Sequence, residues 1–523
     1  MALSKRNRNI LLIAMIFAVS MTTIDQTIVA LSADTIQKNL AISHTVVAWS
    51  INAYILATAA FFILGGKLAD VFGHKRMAII GILTFATFSL LSGLTPTGGA
   101  AAAWLITART LQGVGTAMMF PAALGIVLAI FPSDSRGKAV ATFFGVTGGM
   151  TALGPILGGY LTEWTWRSIF WINIPIAIAA LLLVSRQAVP VTATRQKIDW
   201  PGAALIAVSM GLAIVGLQQA GSWGWDSALT WLFVAAGIVL LVAFIGFERN
   251  RPAPLVRLAS FKERGFSISV LATLFSSMAF VPIFFFLSVY AQISLGLDVY
   301  QSALLLLEFF IGFVLASNYG GRLFDKRGAR RPIIIGGATS AIGFAWWASR
   351  LNDLSNGAAF LNSPQFWPTI LAGAGIGFMF SAAATDVANR AKDQSYGQAT
   401  GISQTAKNFG GAFGLAVLTA IVSTQLTSNL NGSFAALGAP AGTGKSVAMD
   451  INSGDQTAGH GHGSKVAAYP PAIQRKIEKT IETGYADATK PAFYGMSAAM
   501  AVVFLLGLAY PRDGAKTPEK VNA

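Results

Sequence analysis

Gly66-Lys67-Leu68-Ala69-Asp70-Val71-Phe72-Gly73-His74-Lys75-Arg76 and Gly321-Arg322-Leu323-Phe324-Asp325-Lys326-Arg327-Gly328-Ala329-Arg330-Arg331 are written in one grammar. They share Gly, a basic residue, Leu, Asp, a second Gly, a basic residue and Arg at matching offsets. Each follows a long apolar run and precedes another. The copies stand close to half of the 523-residue chain apart, the mark of a duplicated membrane unit.

Composition agrees. Hydrophobic residues make up 54% of the chain and charged residues 11%, with a mean hydropathy of +0.60, whereas soluble domains carry about 25% charged residues. Fourteen apolar runs are long enough to cross a hydrocarbon core of about 30 Å. They cover roughly 10–31, 46–66, 77–95, 101–131, 139–161, 168–185, 200–219, 229–247, 266–291, 302–324, 332–349, 366–385, 397–425 and 491–510. The net charge of +15 invites a nucleic-acid reading. With both termini placed in the cytoplasm, however, most Lys and Arg fall in the tails and inside loops. The short outside loops hold only Lys38, Arg167 and Arg350. That is the positive-inside pattern, so the basic balance reports topology and contact with anionic lipid, not nucleic acid. In this placement Lys407 sits at an inner helix end, and Arg109 is the one Arg or Lys within a span.

Cysteine is absent, which excludes disulfides and thiolate metal sites. Lys5-Arg6-Asn7-Arg8 and the apolar stretch after it show no small-residue cleavage site and are read as an uncleaved first helix.

The chain divides into six helices, two, and six: residues 1–190, then 191–265 with two additional helices and a basic linker, then 266–523. Trp223 and Trp225 between the two extra helices fit an interfacial anchor. The last unit contains a long outside loop at about 428–490, low in predicted order, apart from a short amphipathic helix marked by Ile473, Ile477 and Ile481. Gly444-Lys445-Ser446 imitates the end of a phosphate-binding loop, but Ala439 stands where that motif needs Gly. His460 and His462 lack a third ligand at metal-site spacing, so no metal is expected.

The paired loops resemble the signature loop of the major facilitator superfamily. Arg109-Thr110-Leu111-Gln112-Gly113-Val114-Gly115-Thr116-Ala117 is similar to its Arg-x-x-Gln-Gly-x-Gly-x-Ala pattern, and Gly154-Pro155-Ile156-Leu157-Gly158-Gly159 to its antiporter motif. Trp166-Arg167-Ser168-Ile169-Phe170-Trp171-Ile172-Asn173-Ile174-Pro175, with the two extra helices, resembles the fourteen-helix drug:proton antiporter branch. The resemblance implies an all-α integral membrane fold of two six-helix bundles plus two helices.

Individual residues carry their own expectations. In each loop copy the glycines permit tight turns and Asp70 or Asp325 sits near a helix end. The basic residues, ending in Arg76 and Arg331, offer the Asp partners; the unit Gly66, Asp70, Gly73, Arg76 and its copy Gly321, Asp325, Gly328, Arg331 is thus a latch. Because the first copy keeps Ala69 and His74 where the second has Phe324 and Ala329, Asp70 is expected to be the stronger gate. Asp25 lies well inside the first span, where an acid costs about 2.5 to 3.5 kcal/mol and points to function; it is read as a proton carrier. Arg109 needs a counter-charge, and Gln112 one turn on shares its face; the resemblance places Arg109 at the coupling site. Glu308, the clearest buried acid of the second half, is expected to meet a cationic substrate or a second proton. Gly154, Pro155, Gly158 and Gly159 are expected to allow close helix packing and a kink, and Phe284, Phe285 and Tyr290 to line a drug pocket.

The expected function is secondary active transport, not enzymatic catalysis: export of small amphipathic, cationic compounds across a bacterial plasma membrane by a monomer, with the proton gradient as energy source and no cofactor. Export of a lipid, siderophore, antibiotic or metabolite on the same scaffold is the alternative, and a non-transporting membrane scaffold the rival class.

Overall fold

A computed structural model describes residues 4–189, 197–251, 254–297, 299–354, 364–390, 396–436, 443–452 and 471–512. All the regular elements described are helical. In the first part α1 spans Lys5–Leu31, α2 Ala33–Leu40, α3 His44–Phe72, α4 His74–Gly93, α5 Ala101–Ile130, α6 Arg136–Trp164, α7 Ser168–Trp171 and α8 Asn173–Ser185. The middle pair is α9, Trp200–Trp223, and α10, Ala228–Glu248. Then follow α11 Arg264–Phe280, α12 Pro282–Ile293, α13 Val299–Arg327, α14 Arg330–Arg350, α15 Phe366–Arg390, α16 Tyr396–Ala436, α17 Thr443–Asn452 and α18 Pro471–Ala509.

Among the described residues twelve helices are long and apolar enough to cross a membrane, thirteen when the bent pair Arg136–Thr151 and Ile156–Trp164 is taken as one span. α14 has the length, at 21 residues, but Gly336, Gly337, Thr339, Ser340, Trp346 and Trp347 dilute its apolar character. Local signals set the helix starts. The Ser43 hydroxyl accepts from the Val46 amide, and Asp199 accepts from the Gly202 amide ahead of α9. Helix breaks follow glycine: Gly73 and Gly328, the second glycines of the two motif copies, have φ of 92° and 70°, a conformation that disfavours any side chain.

α5 is wedged among α3, α4 and α1, and α6 lies against α1; α15 is wedged between α13 and α14 in the same manner, with α11, α16 and α18 alongside. The two groups meet where α6 packs on α13 and α3 on α16. α9 and α10 pair with each other, and α9 leans on α3 and α16. α10 turns most of its surface outward, with Leu232, Val239 and Val242 more than half exposed, as a helix bathed in lipid does.

The described parts of 428–490, residues 428–436, 443–452 and 471–490, differ from the loop expected. α16 continues to Ala436 and α18 begins at Pro471, so the predicted short helix is the first part of a 39-residue one. Leu430, Phe434, Val447, Ile451, Ile477 and Ile481 are buried together there, and this shared apolar face stabilises the described helices. Gly444-Lys445-Ser446 lies in α17, while His460 and His462 are outside the described residues.

Candidate functional site

Asp25 lies about 30 Å along α1 from Lys5 and is fully buried. Such a carboxylate demands donors, and two helices, α5 and α8, supply them. Arg109 Nη1 on α5 donates to Oδ2 at 2.6 Å, Gln112 Nε2 to Oδ1 at 3.0 Å, and Asn173 Nδ2 at the start of α8 to Oδ1 at 3.4 Å. Arg109 also donates to Gln112 Oε1 at 2.8 Å, so one turn of α5 presents a fork of donors. Below it the guanidinium carbon sits 4.5 Å from the centre of the Tyr54 ring on α3 and 5.6 Å from that of Phe170. Tyr54 is held by Thr116 at 3.0 Å, and Asn173 by Ser89 at 3.0 Å.

The structure therefore joins Asp25, Arg109 and Gln112 in one cage and adds Tyr54, Phe170 and Asn173, for which the sequence reading had assigned no role. A lone Asn opening an apolar helix was the available signal for Asn173. Nothing in the sequence places Tyr54 and Phe170 on Arg109, because that contact depends on how α3 and α7 cross α5. A buried pair of this kind is lopsided in energy: removing one member strands the other charge, at about 3 to 5 kcal/mol.

Each motif copy makes a contact between the two helix groups, with partners different from those expected. Asp70 accepts from the backbone amides of Gly397 and Gln398 at the start of α16, both at 2.9 Å. Asp325 accepts from the amides of Gly137 and Lys138 at the start of α6, at 2.7 and 2.9 Å. Each Asp thus crosses to the other group of helices and caps a helix N-terminus, where unpaired N–H groups and the helix dipole favour an anion. Of the basic residues, Arg76 and Arg331 are exposed, whereas Lys67 is buried within electrostatic reach of Asp70. The first glycines also differ in role from a turn. Gly66 and Gly321 lie inside helices with backbone pressed on Gly397 and Gly137, and a Cβ at either would collide with those carbonyls. Asp70 is buried and Asp325 half-buried, with His74 Nε2 3.4 Å from Asp70.

Arg136 reinforces the seam from α6. It donates to Asn389 at 2.7 Å and lies over Tyr396. Near the same end, Arg390 pairs with Asp386 and Glu263, and Tyr510 donates to Asp386 at 2.6 Å, a charge cluster that falls at the edge of an apolar run and was missed for that reason.

In the antiporter motif, α6 bends by 48° between Thr151 and Ile156, where Gly154 and Pro155 stand. Gly154 is pressed on Thr27, whose hydroxyl donates to the Thr151 carbonyl at 3.1 Å, so this glycine serves close packing on α1. Gly158 is buried; Gly159 is exposed, with nothing near its missing Cβ, and so does not serve close packing.

The expected aromatic pocket separates into three environments. Phe285 is 40% exposed, and Tyr290 is fully buried with its hydroxyl donating to the Leu351 carbonyl at 2.8 Å. Phe284 stacks on Phe310 at 5.6 Å. Consecutive residues of a helix point in different directions, so the three cannot share one wall. The rings that do form a continuous series are Phe120 and Phe144 of the first helix group with Phe380, Phe280, Phe313 and Phe310 of the second. Glu308, adjacent to Phe309 and Phe310, is fully buried, and both its carboxyl oxygens lack a hydrogen-bond partner among the described residues. It is not part of the Asp25 cage.

Lys407 is a correction to the sequence reading. It stands about 15 Å into α16 from Gly397, inside a span and not at its end, with its Nζ 5.6 Å from the centre of the Phe280 ring and 5.5 Å from that of Phe380. The apolar run from 397 and the observed start of α16 at Tyr396 agree to one residue, so Lys407 lies well inside by either measure, and the first turns of α16 fill the seam against α3.

Residues 10–415 match the family model of the Major Facilitator Superfamily. The chain is 30% identical to the tetracenomycin C resistance and export protein of Streptomyces glaucescens, over 79% of this chain and 76% of that protein. It is 32% identical to the cephamycin export protein CmcT of Amycolatopsis lactamdurans, over 76% and 81%, and 27% identical to multidrug resistance protein 3 of Bacillus subtilis, over 98% and 97%. In fold it is similar to the proton:xylose symporter XylE, with a TM-score of 0.55 at 13% identity over 97% of each chain.

Proposed function

The chain belongs to the Major Facilitator Superfamily and is a multi-pass membrane transporter, and from that premise we propose that it is a proton-coupled antiporter exporting amphipathic antibiotics or drugs. The observation that carries this reading is the cage around Asp25. A carboxylate held by Arg109, Gln112 and Asn173 deep in the membrane is a proton site whose charged state depends on the positions of α1, α5 and α8.

The fourteen-helix arrangement, with α14 as a span and both termini cytoplasmic, belongs to the same reading. So does the division into residues 1–190, the pair within 191–265, and 266–523. The first and last of these rock as bodies about the seam of α3 with α16 and α6 with α13. In this reading Asp70 and Asp325 close that seam on the cytoplasmic side, which makes this the state closed toward the cell interior. α3 is the lever: Tyr54 under Arg109 and Asp70 at the latch lie about 24 Å apart on one helix. Protonation of Asp25 weakens its hold on Arg109, frees the guanidinium to shift over Tyr54, and passes that shift to the latch. Glu308 offers a second acid, for a cationic group of the substrate or a second proton. The names of the relatives support export as the direction of transport.

The test is substrate-driven proton release from proteoliposomes carrying an imposed proton gradient, comparing the intact protein with Asp25→Asn. Release in the intact protein and its loss in the variant support the reading. Equal release from both removes Asp25 from the coupling.

A further inference from the structure

Lys407 has no explanation in the coupling cage or the latches. A charged ammonium at this depth needs a counter-charge or water, and among the described residues no carboxylate lies within ion-pair distance of it. Its neighbours are the rings of Phe280 and Phe380, which attract a cation without neutralising it. Arg109, by contrast, is matched by Asp25 and has no charge to offer a ligand.

The position is informative. Phe380 packs edge-on against Phe144 of α6 at 5.4 Å, and Phe144 lies 6.3 Å from Phe120 of α5. On the other side Phe280 touches Phe284, Phe310 and Phe313. Lys407 thus stands beside a series of rings that runs from one helix group to the other, on the helix whose first residues receive the Asp70 latch. It is half-buried, leaving part of the side chain open to a ligand. These rings are buried against one another across the two helix groups, so a flat apolar body meets them where those groups part, and an unmatched ammonium at their edge offers a site for one negative charge.

We infer that Lys407 binds the acidic group, a carboxylate or ionised phenol, of an amphipathic aromatic substrate whose apolar body lies against Phe280 and Phe380. This rests on the export reading and adds a substrate class to it: compounds carrying an acid, with or without the cationic group that Glu308 could meet. The substrate completes the ion pair that the protein leaves open.

Two xanthene dyes of like shape and opposite charge test this: carboxyfluorescein, an anion, and rhodamine 6G, a cation. Binding to the purified full-length protein is read by fluorescence polarisation, independently of turnover, and export by dye efflux from proteoliposomes. Lys407→Gln is expected to weaken carboxyfluorescein binding at least tenfold and to change rhodamine 6G binding less than twofold. Lys407→Arg is expected to keep anion binding within threefold, and matched elution of all forms on size exclusion guards against misfolding. Equal carboxyfluorescein binding by Lys407→Gln and the intact protein overturns the inference, as does binding of rhodamine 6G alone or of neither dye. Lys407-dependent binding without efflux of either dye upholds the site and counts against export, so the two readings fail separately.

Discussion

Replacing Asp70 by Asn tests the latch at its most buried contact. The substitution keeps the volume but exchanges one acceptor oxygen for an amide that faces an N–H, and it removes the negative charge from the α16 N-terminus. Asp70 accepts two backbone hydrogen bonds, both at 2.9 Å, in a buried setting. Hydrogen bonds to a charged group contribute about 1.5 kcal/mol each at the low end, so the closed state loses about 3 kcal/mol. At about 1.4 kcal/mol per factor of ten, the open population rises more than a hundredfold. Asp325 makes the same pair of bonds where water competes, one of them exposed, and Asp325→Asn is expected to cost about 1.4 kcal/mol, a tenfold rise. The chain contains no cysteine, so a single reporter has no background. Ala141→Cys suits this, because Ala141 is fully buried against Gly321 and becomes reachable only when the seam parts. The rate of N-ethylmaleimide labelling then reports the open population directly. Unchanged rates would refute the latch, and a larger effect from Asp325→Asn than from Asp70→Asn would refute the argument from burial.

Three further outcomes follow from the geometry. Gly66→Ala drives a methyl into the Gly397 carbonyl and should raise labelling of Ala141→Cys much as Asp70→Asn does, with the charge untouched; a rate equal to that of the unaltered latch sinks the close-packing role. Arg109→Lys keeps the charge but loses the planar donors shared between Asp25 and Gln112 and the stacking on Tyr54, so substrate-driven proton release should fall at least about tenfold; normal release would show that charge alone suffices. Glu308→Leu removes two buried carboxyl oxygens that have no hydrogen-bond partner among the described residues, and should raise the thermal unfolding temperature in detergent while lowering export of rhodamine 6G; a lower unfolding temperature would mean that the carboxyl is held by contacts that outweigh its burial.

The repeated loop, the apolar runs and the lone acid and base in α1 and α5 were legible because membranes impose one-dimensional rules. Length of apolar run, spacing of Gly and Asp, and the cost of a buried charge are all properties of consecutive residues. Asp25, Arg109 and Gln112 could be named on that ground, and they converge. The Phe284, Phe285 and Tyr290 grouping failed because adjacency in sequence is not adjacency on a helix face, and Gly159 failed because a glycine's purpose depends on what stands opposite it. Lys407 was misplaced although its run began within one residue of α16, because its charge was assigned to the inner side under the positive-inside pattern and not to the interior of the run.

The sequence by itself determined that the chain crosses a membrane many times, that its two halves repeat, and that a carboxylate and a guanidinium lie among apolar residues. Only the tertiary structure decided who meets whom: Asp70 with the amides of Gly397 and Gln398, Asp325 with those of Gly137 and Lys138, and Asn173 with Asp25. The reason is physical. Those partners are backbone groups or residues more than a hundred positions away, and a backbone amide leaves no mark in the sequence that could identify it as an acceptor's target. The loops share one grammar in both halves, yet what each Asp contacts is set by the helix ends that it reaches across the seam.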